Sequence, residues 1–176
     1  MVTTGTGSAK TVKLAERRVF SQSFKPLYNE GMGLVEEAAE YLDGPGRAAA
    51  KGLSKTAAGL YAAESMRLTT RLMQLASWLL LQRAANAGEM TREQVAAEKA
   101  KVRLDTASTG RDAPGWEGLP EEFRDLVDRS LRLEALVRRM DEEIYGPHED
   151  ESDDGALSTN PVSDQITLLR TAFGRG

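Results

Sequence analysis

The sequence predicts an all-α protein, an antiparallel three-helix bundle followed by an acidic tail. Three observations carry that expectation. Apolar residues recur in alternating steps of three and four over three long stretches, the spacing of one helix face. No stretch alternates apolar and polar residues in the period-two manner of a strand. Glycine and proline collect between the long stretches rather than within short ones.

Each element follows in chain order. Residues 1–20 are basic (Lys10, Lys13, Arg17 and Arg18 against Glu16) with no apolar core of the kind a targeting segment needs, and read as a flexible arm. A first helix is expected over about 23–42, with Ser23 as cap and Pro26 in the first turn, where a missing amide is tolerated. Phe24, Leu27, Leu34, Ala38 and Tyr41 form its apolar face. Gly31 and Gly33 weaken it by about 1 kcal/mol each relative to alanine, which suggests close approach of a neighbouring backbone. The run Asp43-Gly44-Pro45-Gly46 ends it.

A second helix is expected over about 54–87, roughly 50 Å long. One seam reads Tyr61, Ser65, Leu68, Leu72, Leu75 and Leu79. A second, offset around the helix, reads Met66, Met73 and Leu80; like the first it reads foremost as core and, with Leu81, secondarily as the candidate dimer seam. A polar stripe of Glu64, Arg67, Arg71 and Gln74 runs into Trp78. Arginine and tryptophan are favoured at binding hot spots, so these five residues are the candidate partner or cargo surface, against the plainer reading of a solvated face. The half of the helix around Trp78 is apolar nearly all round, which raises the idea that cargo and self-association compete there.

Thr91-Arg92-Glu93-Gln94 fits a capping box and opens a short helix over about 92–102. Residues 103–118, with Gly110, Pro114, Gly115 and Gly118, read as an irregular loop of functional length. A third long helix is expected over about 120–145, with the seam Phe123, Leu126, Ser130, Leu133, Val137, Met140 and Ile144. Residues 146–176 carry six acids and two bases, so the whole net charge of −4 sits there and the rest is balanced. This tail reads as disordered. At its end Ile166, Leu168, Leu169 and Phe173 gather beside Arg170, the pattern of a short linear docking motif.

The composition argues against an enzyme. Cysteine is absent, and one histidine, His148, is too few for a zinc site or a histidine relay. GTGS and GPGR lack the lysine-containing ending of a phosphate loop. Glu36, Glu37 and Glu40 read as a solvated face. No catalytic, cofactor-binding or metal-binding residue is expected. The charge balance and 6% aromatic content do not suit nucleic acid, and the longest apolar run, Trp78 to Leu81, is far too short for membrane insertion. A cytoplasmic protein is expected.

The run YAAESMRLTTRLMQLASWLLLQRAANAGEMT, from Tyr61 to Thr91, resembles the RcdA family, the alphaproteobacterial regulators of CtrA degradation. So do SQSFKPLYNEGMGLVEEAAEYLDGPGR, from Ser21, and LPEEFRDLVDRSLRLEALVRRMDEEI, ending at Ile144. The resemblance implies a non-enzymatic adaptor, a homodimer of three-helix bundles with a disordered tail, that delivers cell-cycle regulators to the ClpXP protease. It also implies partners: ClpX primed by an unphosphorylated receiver-domain response regulator, a cyclic-di-GMP-binding adaptor that docks on the protein, and cargo including CtrA and a developmental transcription factor. Transient residence at a cell pole goes with that role. The rival expectation is a helical scaffold for polar localisation with no part in proteolysis.

Overall fold

A computed structural model describes residues 8–146, with side chains from residue 22 onward. It is all-helical over that range: α1 (Ser8–Asp43), α2 (Pro45–Ala50), α3 (Lys55–Asn86), α4 (Arg92–Lys99), a 3₁₀ turn (Trp116–Gly118) and α5 (Glu121–Tyr145).

The first helix is longer than expected. It starts at Ser8, so residues 8–20 are helical rather than an arm, and Ser23 and Pro26 are interior positions rather than its cap and first turn. Pro26 takes away one amide, the partner of the Gln22 carbonyl, but both residues face solvent, which can satisfy that carbonyl. Lysine, alanine, leucine, glutamate and arginine dominate residues 9–18 and favour helix. The turn at Asp43-Gly44 is followed at once by α2, which uses Pro45 in its first turn, a helix not foreseen from the sequence.

The remaining starts follow the capping signals. The Ser54 hydroxyl accepts from the Ala57 amide at 3.2 Å and opens α3. Thr91 and Gln94 close a reciprocal capping box on α4, at 2.9 and 3.2 Å. That helix ends at Lys99, three residues before the expected limit.

α1, α3 and α5 share one core. Phe24, Leu27, Leu34, Ala38 and Tyr41 meet Tyr61, Leu68, Leu72, Leu75, Trp78 and Leu79, and both sets meet Phe123, Leu126, Val127, Leu133 and Val137. Of the predicted seams, Ser65, Met140 and Ile144 stay partly exposed, and the Met66, Met73 and Leu80 line is exposed rather than core. Gly31 is closely approached, though by a side chain and not a backbone: a Cβ there would collide with Leu79 Cδ1, whereas one on Gly33 would meet nothing within 4 Å.

The helix directions correct the expected antiparallel arrangement. Along α1 and α3 the order is reversed: Tyr28 accepts from Arg83, Gly31 lies against Leu79, and Tyr41 and Tyr61 come together beside Gly46. Along α1 and α5 it is reversed again, Tyr41 stacking near Phe123 while Glu37 pairs with Arg129. α3 and α5, however, run the same way. Tyr61 meets Phe123 with ring centroids 4.5 Å apart, Arg71 donates to Ser130 at 2.9 Å, and Trp78 donates to Asp141 at 2.6 Å. Parallel neighbours need a connection that travels back their full length. Residues 100–120 supply it as a strap. It passes Gln74, Glu134 and Glu64 in turn and reaches Ala57, where Gly115, at φ 91°, brings its own backbone against the start of α3.

Candidate protein-binding site

α3 has two unlike sides, and the strap decides which is free. The polar stripe expected to face a partner lies under the strap. Glu64, Arg71 and Trp78 are fully buried, while Arg67 and Gln74 are partly covered. As a partner surface, this stripe is therefore corrected: its buried members have no area to offer, because the strap covers Glu64 while Arg71 and Trp78 are enclosed against the neighbouring helices.

Three polar residues on that side, Glu64, Arg67 and Gln74, hold parts of the strap. Glu64 accepts from the Thr109 amide at 2.9 Å, the Thr109 hydroxyl at 2.5 Å, the Ser108 hydroxyl at 3.1 Å and Arg67 Nη1 at 2.6 Å. Arg67 also reaches the Thr109 hydroxyl. Gln74 Oε1 accepts from the Arg103 amide at 2.9 Å, and Glu134 on α5 accepts from the Thr106 amide at 3.2 Å. Arg71 lies between the helices, donating to Ser130 and sitting 3.5 Å from Glu134. The Trp78 indole donates to Asp141, which also holds Lys99 of α4. Most of these polar groups are paired, but Arg71 Nε and Nη2 make no hydrogen bond among the described residues, and Nε is held only by the charge of Glu134 3.5 Å away.

The electrostatics agree with an internal role. Burial pushes the Glu64 carboxyl up, but the Thr109, Arg67 and Ser108 donors outweigh it, so the group ionises below its ordinary range. Burial draws Arg71 below its ordinary range, opposed by attraction to Glu134 and Glu64. Glu64 serves to fix the strap, and Arg71 to join α3 to α5. Among the described residues no group of three or more His, Cys, Asp or Glu is placed to hold a metal ion. Nor is any described helix long and apolar enough to cross a membrane.

The opposite side of α3 is open. Met66, Met73 and Leu80 are 74%, 65% and 48% exposed, three of the four exposed large apolar residues among those described. Gly59, Ala62, Thr69, Thr70 and Ser77 lie exposed between and beside them. The hydroxyls on this face are already used: Thr69, Thr70 and Ser77 donate to the carbonyls of Ser65, Met66 and Met73 at 2.8–2.9 Å. Between Lys55 and Arg83 the only charged residues of α3 are Glu64, Arg67 and Arg71, all on the strap side. The result is a charge-free face about 32 Å long from Gly59 to Leu80. Contiguous apolar surface of this kind marks a protein contact. Leu81, placed with the seam in the sequence, is half-buried at its edge. The tail residues Ile166, Leu168, Leu169, Arg170 and Phe173 lie outside the described residues.

Comparison with known proteins places the chain. A family described as Protein of unknown function (DUF1465) matches residues 15–173. The crystal structure of RcdA from Caulobacter crescentus CB15 is similar to it, with 48% sequence identity and a TM-score of 0.57, over 69% of this chain and 90% of that one. This chain belongs to the RcdA family. No curated protein matches it. Residues 15–20, expected to lie outside the folded body, fall within the matched family range. What the sequence reading of this RcdA-family chain missed is the strap. A signal was present: Val102, Leu104, Thr106 and Ser108 alternate with more polar or smaller residues, and the structure turns these four inward while Arg103, Asp105 and Ala107 face out.

Proposed function

We propose that this RcdA-family chain is a non-enzymatic adaptor that delivers cell-cycle regulators, CtrA among them, to the ClpXP protease by tethering. The observation that supports the reading best is the charge-free face of α3, on a helix whose Glu64, Arg67 and Arg71 are spent on internal contacts to the strap and α5. Such a molecule offers protein-binding surface and no assembled chemistry. Family membership supports the adaptor role, and the expected partners follow from it: ClpX primed by a receiver-domain regulator, and a cyclic-di-GMP-binding adaptor docked on the chain. Holding cargo beside a protease raises its local concentration without any strong new contact.

Within this reading the α3 face is the homodimer seam of the proposed three-helix body. Its large and small residues are arranged about a point between Thr69 and Thr70. Met66 and Met73 are equidistant from that point, and so are Gly59 and Leu80. An antiparallel two-fold contact therefore sets Leu80 of one copy over Gly59 of the other, and Met66 against Met73, which is self-complementary in size. The cargo surface lies elsewhere on the body, since Trp78 is enclosed; the apolar and basic residues 166–173 are assigned to docking on the primed protease.

The deciding experiment is reconstituted degradation with purified ClpXP, the primed regulator and a labelled cargo. The full chain is expected to accelerate loss of cargo, and a chain ending at Tyr145 to remain folded without doing so. Unchanged cargo half-life with the full chain would reject the adaptor role in favour of a localisation scaffold, and normal delivery by the shortened chain would reject the docking assignment.

A further inference from the structure

The carboxy-terminal half of α5 carries a second surface, different in chemistry from the α3 face. Most arginines from the strap onward are already paired: Arg103 with Asp105, Arg111 with Asp128, Arg124 with Glu117, and Arg129 with Glu37 and Asp125. Arg132, Arg138 and Arg139 make no ion pair among the described residues. Glu142 and Glu143 stand four positions beyond Arg138 and Arg139, yet no ion pair forms between them, and arginine preceding glutamate is the weaker order for such pairs. The nearer acids, Asp125 and Asp128, are occupied by Arg129 and Arg111.

Between Arg132 and Arg139 sits Leu136, the one exposed large apolar residue described outside α3. The three positions are related by steps of four and three, so they share one helix face, with the two guanidinium-bearing positions about 10 Å apart along the axis. One turn earlier, Arg129 shows what an arginine of this helix does when a carboxylate is available: it binds Glu37 through both nitrogens, at 2.7 and 2.8 Å.

We infer that Arg132, Leu136 and Arg139 form a docking face for an acidic protein segment that sets an apolar side chain between carboxylates. Charge complementarity selects the partner: two unpaired forks take carboxylates, and the exposed leucine between them takes the apolar side chain. This inference stands on α5 alone and does not depend on the adaptor reading.

The test uses the full chain and fluorescence anisotropy with a labelled twelve-residue peptide of aspartate and glutamate carrying two central leucines. Binding that weakens as salt rises is expected. Arg132→Glu with Arg139→Glu should lower the affinity at least about tenfold. Leu136→Ser should weaken the leucine peptide and leave a serine-for-leucine control peptide unaffected. Circular dichroism on each variant, with unchanged helix content and melting, assigns the losses to the surface. Unaltered binding by the double arginine variant would overturn the inference. So would equal binding of the serine control to the unmodified chain, or tighter binding of single-stranded DNA of matched charge.

Discussion

Glu64 is a fully buried carboxylate that collects four donors, and this makes it the residue whose protonation matters most to the strap. Its folded pKa lies below the ordinary value of 4.5. A depressed carboxylate contributes stability that is fully present above the unfolded pKa and is lost as pH falls through the folded one. Thermal melts from pH 7 down to pH 3 should therefore show an acid limb that Glu64→Gln flattens, and the Thr109 amide should lose hydrogen-exchange protection along that limb. Arg71 presents the complementary case. Removing it leaves Glu134 and the Ser130 hydroxyl buried beside a cavity, so Arg71→Ala should cost about 3–5 kcal/mol in urea denaturation. Arg71→Met, which keeps most of the volume, should cost less.

α3 is the element on which the molecule depends, and its two faces were unequally readable. The core seam was legible because burial by neighbouring helices obeys the three-and-four spacing, but the same spacing made Met66, Met73 and Leu80 read foremost as core, whereas they are exposed. The polar stripe was misplaced because nothing local tells a solvated charge from one covered by a distant segment. Glu64 meets Thr109 across 45 positions of chain. α1 was read too short for a related reason: an exposed proline inside a helix resembles one at its start. Glycines separate the two kinds of helix position cleanly. Gly33→Ala should raise stability by about 1 kcal/mol, since the added methyl meets nothing, whereas Gly31→Ala should raise it less or lower it, since Leu79 must move. Paired melting curves distinguish these. If the open face is the proposed homodimer seam, Met73→Glu should shift sedimentation from dimer to monomer while helix content stays constant, because a charge would then be buried there without a partner.

Three long helices could have been joined by two short turns, alternating in direction. The structure instead sends α5 parallel to α3 and requires the strap to return between them, so the α1–α3 pair is local in sequence and α5 joins from afar. Non-local closure slows folding, and a chain of this topology should form the α1–α3 hairpin before α5 settles. The order in which the pieces come apart depends on where force is applied. A pull on the carboxyl end acts first on the late turns of α5, where Asp141 ties Trp78 and Lys99, then frees the amides that Glu134 and Glu64 hold, and reaches the hairpin last. A pull on the amino end strikes α1, which borders both other long helices, and has no such gradual route. Single-molecule stretching should record stepwise extension from one terminus and a single abrupt rupture from the other, so a machine that threads polypeptides would find this body easy to dismantle from one direction and resistant from the other.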